Sequence, residues 1–183
     1  MCRIISLLTT VLLVVTAVMA MTLAFAGPAY AQTPPTTAPT TPATYTDTVR
    51  GTEFSAGTIE GDTRFGASFA GEATGDLPGV LVVTTDYTPP SPGPNINNNL
   101  VGGRWTLLGE RGTVFGSFNG GTVQWNADGT MADIVADMRV LGGRVDGVPV
   151  YSDGIGTFGG VLDHRPLTQG LPPTVGGTLQ LTF

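Results

Sequence analysis

Met131-Ala132-Asp133-Ile134-Val135-Ala136-Asp137-Met138-Arg139-Val140-Leu141 alternates almost without a break. Ala132, Ile134, Ala136, Met138 and Val140 fall on one side; Asp133, Asp137 and Arg139 fall on the other. Residues two apart share a face only in an extended chain, so this run predicts a strand with one buried face. It is the longest such run, and its surroundings repeat. Gly-Gly dipeptides begin at positions 102, 120, 142, 159 and 176. That spacing is too short for a helix pair and suits a hairpin of two strands of about seven residues with tight turns.

The residues after each pair alternate as well, as in Arg104-Trp105-Thr106-Leu107, Thr122-Val123-Gln124-Trp125 and Val161-Leu162-Asp163-His164. Each Gly-Gly is therefore expected to open a strand, with Asn119-Gly120 closing a tight hairpin and Thr122–Trp125 forming a short strand. Asn126-Ala127-Asp128-Gly129 is expected to turn the chain at the opposite end. Phe69, Phe118 and Phe158 each follow a small residue two places earlier: Ala67, Gly116 and Gly156. A ring beside a small residue fits a tightly curved sheet, and it predicts a narrow, packed interior.

Upstream, Tyr45–Phe54, Thr63–Gly71 and Val80–Tyr87 read as strands. Residues 88–99 read as an irregular loop, because their prolines remove ladder donors. No segment after residue 31 has helical periodicity. The fold class is all-β: a single antiparallel up-and-down (meander) barrel of about 8–10 short strands, since closure removes exposed edges.

The N-terminus reads as an address. Arg3 is followed by an uncharged apolar run through residue 26, then Ala29-Tyr30-Ala31, the small-x-small pattern of a signal peptidase site. Residues 1–31 are expected to be a signal peptide, 32–44 a Thr/Pro-rich linker and 45–183 the barrel domain. The expected location is secreted or periplasmic, within the cell envelope. The alternative is membrane anchoring by an uncleaved N-terminal helix, since the apolar run is long enough to span a bilayer. The one cysteine, Cys2, lies in the leader, so the mature domain is expected to hold neither disulfide nor thiolate metal site.

All eight basic residues are arginine, against 14 acids, for a net charge of −6. An acidic chain without a basic cluster repels phosphate backbones, which argues against nucleic acid as a partner and against anionic lipid surfaces.

Gly142-Gly143-Arg144-Val145-Asp146-Gly147-Val148 and Gly154-Ile155-Gly156-Thr157-Phe158-Gly159-Gly160 resemble the Gly-rich, Phe-punctuated strands of allene oxide cyclase and dirigent-like barrels, over roughly residues 100–183. The resemblance implies a small β-barrel with an apolar interior. None of those families' catalytic residues is matched, so their activity is not carried over.

His164 is the only histidine. Alternation from Gly160 points it inward with Leu162 and turns Asp163 outward. It reads as a satisfied core residue or as the polar group of a ligand cavity. Trp105 and Trp125 fall on the same inner face and complete the candidate ligand-binding set. No Gly-x-Ser-x-Gly elbow supports a hydrolase. Asn126, Asp128 and Asp133 form half a calcium loop and read better as a turn. Glu53, Glu60, Glu72, Asp62 and Asp76 read as solvated acids among glycines. No catalytic residue, metal site or cofactor is assigned.

The leading functional reading is an exported, non-catalytic barrel that binds a small apolar ligand or serves the cell envelope. The alternative is a barrel isomerase, cyclase or lyase acting on an apolar substrate inside. A third reading, an outer-membrane barrel, is opposed by the short strands inferred from the Gly-Gly period. A packed interior favours the structural role, and a hollow one with polar groups favours a carrier or enzyme.

Overall fold

The computed structural model describes residues 41–183; the leader and most of the linker lie outside them. Ten strands follow in chain order: β1 (Thr44–Ser55), β2 (Thr58–Glu60), β3 (Thr63–Gly75), β4 (Gly79–Thr88), β5 (Asn97–Gly109), β6 (Gly112–Trp125), β7 (Met131–Val145), β8 (Val148–Val150), β9 (Ile155–Asp163) and β10 (Thr174–Thr182). Every pairing is antiparallel, and β1 pairs with both β3 and β10, which closes the sheet. β2 and β8 are short hairpin pieces beside β3 and β7. The wall is therefore a closed eight-stranded meander barrel. One 3-10 turn, Arg165–Gln169, interrupts the β9–β10 connection.

The Gly-Gly pairs are not turns. They lie inside β5, β6, β7, β9 and β10, five successive wall strands. The period is thus one strand plus one connection rather than a whole hairpin, and the wall strands run 9 to 15 residues. Asn119-Gly120 sits at a bulge, where the β6–β7 register slips between Phe118 and Gly120. Turns and bulges both call for backbone that glycine adopts readily, which is why one sequence signal fits either. The tight connections are instead Glu110-Arg111, Asp146-Gly147 and Asn126–Thr130. In the last, Asn126 Oδ1 accepts from the Thr130 and Met131 amides, and Asp128 Oδ1 accepts from the Thr130 amide and hydroxyl.

The interior is mainly apolar, with Asp47 and Asn98 as buried polar exceptions, and most of the charge stands on the outer wall. Arg50, Glu72, Arg104, Asp133, Asp137 and Arg139 all point outward and are exposed. The inside divides into two halves. The base is filled by Leu77, Trp105, Leu107, Val114, Val140, Val145 and Leu181. Gly116 makes room there, since a Cβ at that position would lie 2.6 Å from the Trp105 ring. At this end Ala43 and Phe183 exchange backbone hydrogen bonds and Tyr45 stacks on Phe183, so the two ends of the barrel chain meet. The other half is open, which overturns the expectation of a packed interior. Above the layer of Phe118, Met138, Phe158 and Leu179, the inward residues, Phe69, Tyr87, Leu100 and Trp125 among them, line a cavity rather than fill the bore. Phe158 lies along the wall against Gly160 and Gly177, where an added Cβ would come within 2.8 Å of its ring.

Candidate functional site

The open half encloses a cavity of about 300 Å³. Its depth is lined by Val49, Leu81, Phe118, Met138, Phe158 and Leu179, and its wall by Leu100, Val123, Ala136 and Leu162. Its ionisable lining groups among the described residues all lie at the mouth: Glu53, Arg64 and Tyr87 near strand ends, and His164 just past the end of β9. The mouth is framed by the β1–β3, β4–β5, β6–β7 and β9–β10 connections.

Of the three residues read from the sequence as ligand-binding, two line the cavity. Trp125, the last residue of β6, meets the His164 ring in a T-shaped contact, with centroids 4.5 Å apart and planes at 65°. Trp105 faces inward as expected but belongs to the packed base, with its indole N–H donating to the Ser117 carbonyl at 3.3 Å. His164 is not on a strand. β9 ends at Asp163, and Pro166 commits the chain to the 3-10 turn that His164 caps. Its amide donates to the Thr130 carbonyl at 2.8 Å. The half-buried imidazole still faces the cavity, and burial lowers its pKa against the pull of Asp163. Asp163 does not partner it. That carboxylate is held by Arg165, whose guanidinium and amide keep its pKa at about 2.

Buried Asn98 joins the site to the loop above it. Its Oδ1 accepts from the Trp125 indole at 2.6 Å, and its Nδ2 donates to the Pro89 and Ser91 carbonyls at 2.7 and 3.3 Å. Arg64 holds the mouth from the other side, donating from Nε to the Pro90 carbonyl and from Nη1 to the Ala56 carbonyl. Its guanidinium stands 6.0 Å from the centroid of the Tyr87 ring. Glu53 lines the cavity, and burial raises its pKa while Arg64 opposes the rise. Burial raises the Tyr87 phenol too, against the charge of Arg64 and a side-chain hydrogen bond with it.

Arg64, Tyr87 and Asn98 were not singled out from the sequence, and Glu53 was grouped with solvated acids. The signal for Glu53 was present: Asp47, Val49, Gly51 and Glu53 share the inward register of β1. Glu60 and Glu72 are exposed, and Asp76 accepts from the Thr46 amide at 2.8 Å. Asp133 is exposed on the outer face of β7. Among the described residues no group of three His, Cys, Asp or Glu side chains is placed to hold a metal. Comparison with protein-family models, with curated proteins and with solved structures finds no match for this chain.

Proposed function

We propose that this protein is an exported barrel that takes a small apolar molecule into its open half. The observation that carries the reading is the cavity: apolar in depth, polar at its mouth, and inside a barrel whose base is solidly packed. Eight strands give a bore of the size that holds one small ligand. A dry cavity of about 150 Å³ accommodates benzene, so about 300 Å³ suits two fused rings or a chain of about ten carbons. Export rests on the apolar leader and Ala29-Tyr30-Ala31. Mass spectrometry of the exported protein is expected to find Gln32 at the N-terminus; recovery of residues 1–183 intact from the membrane would favour an anchor.

A second reading, an isomerase, cyclase or lyase working in the same cavity, is favoured by one observation. Glu53 and His164 both face the cavity, and burial pushes each toward its neutral form. The outer-membrane reading loses its length argument, because the strands are long enough, but the charged outer wall weighs against it.

The test is binding of naphthalene, followed through Trp125 fluorescence and calorimetry. Saturable one-to-one binding that disappears in Ala136→Phe, which fills the cavity, supports the reading. Val123→Phe serves as a second block should the first variant fail to fold. Absence of binding, or binding that both folded variants retain, overturns it.

A further inference from the structure

The mouth of the cavity also bears on what its ligand carries. Resting on the ligand-binding reading above, we infer that the preferred occupant is a single-headed amphiphile, its chain in the apolar depth and an uncharged hydroxyl or amide head at the mouth between Glu53 and Arg64. Three observations support this. First, polarity is confined to one end, so an amphiphile has one favourable orientation, tail first. Second, the two charged lining groups are of opposite sign and stand on neighbouring strands, Glu53 on β1 and Arg64 on β3. Among the described residues they form no salt bridge with each other; the Arg64 guanidinium is engaged instead by the Pro90 and Ala56 carbonyls and by the Tyr87 phenol. Third, Arg64 cannot swing freely to Glu53, because two backbone carbonyls hold its Nε and Nη1.

An ionised head of either sign would meet one attraction and one repulsion at this mouth. A carboxylate gains Arg64 and faces Glu53; an ammonium gains Glu53 and faces Arg64. A hydroxyl can donate to the carboxylate and accept from the guanidinium at once, with no charge to desolvate. The tyrosine phenol and the imidazole of His164 extend this mixed donor and acceptor rim.

The test compares 1-decanol, decanoate and decylammonium, one chain with three heads, by calorimetry at pH 7 on the mature protein. Decanol is expected to bind about tenfold or more tighter than either ion, the size of one hydrogen bond to a charged group. Glu53→Gln leaves Arg64 unopposed and should turn the preference toward decanoate. Arg64→Gln leaves Glu53 unopposed and should turn it toward decylammonium. Since Arg64 also braces two loops, Glu53→Gln alone decides the matter if the arginine variant does not fold. Equal binding of all three, or an ion preferred by the wild type, overturns the head-group inference while leaving the cavity reading standing. No binding of any of the three, with naphthalene also silent, overturns both.

Discussion

Asp47 and His164 are titrating residues whose shifts run in opposite senses. Asp47 is buried in the base; its Oδ1 accepts from the Leu77 amide at 2.9 Å, and its Oδ2 has no partner among the described residues. Burial raises its pKa more than the Leu77 amide and Arg111 lower it, and Asp76 adds to the rise. The folded state therefore holds this proton more tightly than the unfolded chain. Its contribution is most favourable below the ordinary carboxylate pKa and is lost as pH rises through the raised folded value. Asp47→Asn should flatten that dependence and stabilise the protein by about 1 kcal/mol at pH 7, measured by urea unfolding at pH 4 and 7. A less stable variant at pH 7 would show that the ion is retained for its contacts. His164 has the reverse sign: its folded pKa is lowered, so stability is lost as pH falls through the ordinary histidine value toward the lowered one. His164→Leu should remove that acid-side loss and change naphthalene affinity more than stability. His164 faces the cavity, as expected from the sequence, but strand alternation does not set its direction, because it stands in a helical conformation past the end of β9. The end of the strand at Asp163 was the part set by Pro166 and missed by the pattern.

At the scale of elements, the glycine pairs shape the cavity. A Cβ at Gly177 would strike the Gly159 carbonyl and come within 2.8 Å of the Phe158 ring. Gly177→Ala should therefore cost about 2 kcal/mol, as overpacking does, and also weaken naphthalene binding by pushing that ring into the bore. A variant of normal affinity would mean that the ring is not what keeps the bore open. The loop at residues 89–96 depends on a strand residue. Asn98→Ala would strip the partner from the Trp125 indole and from two loop carbonyls, costing about 2–3 kcal/mol. Hydrogen exchange in this loop should rise in step, and an unchanged loop would locate its order elsewhere. Strand identity was legible here: the predicted Tyr45–Phe54, Thr63–Gly71 and Val80–Tyr87 fall within β1, β3 and β4. Strand length was not, because a glycine pair inside a strand looks locally like one that ends it. The difference lies in the partner strand's carbonyl, which a sequence does not place beside its glycine.

At the scale of the whole molecule, about 8–10 short alternating strands in a meander were enough to predict a barrel, because a two-faced sheet of that many strands has few other ways to hide its edges. Whether the barrel is full was not legible. The small-Phe spacing is the same whether a ring crosses the bore or lies along the wall, and only neighbouring glycines such as Gly160 and Gly177 decide which. Closure itself rests on the seam between β1 and β10, where Thr44 pairs with Thr182 and Thr52 with Thr174. Removing residues 172–183 should leave β1 and β9 with bare edges and yield an aggregating chain rather than a smaller domain; a soluble, cooperatively melting product would contradict this. The seam has a consequence for the order of events during folding. Thr44 and Thr182 are 138 residues apart, so the first wall strand to be synthesised waits for the last before its outer edge is covered. Local hairpins such as β5–β6 can form early, while ring closure has to overcome the loop entropy of almost the entire domain. Refolding should then show a fast gain of strand signal followed by a slower step in which the Tyr45–Phe183 stack forms, and it is during that interval that the chain is most exposed to pairing with another copy of itself.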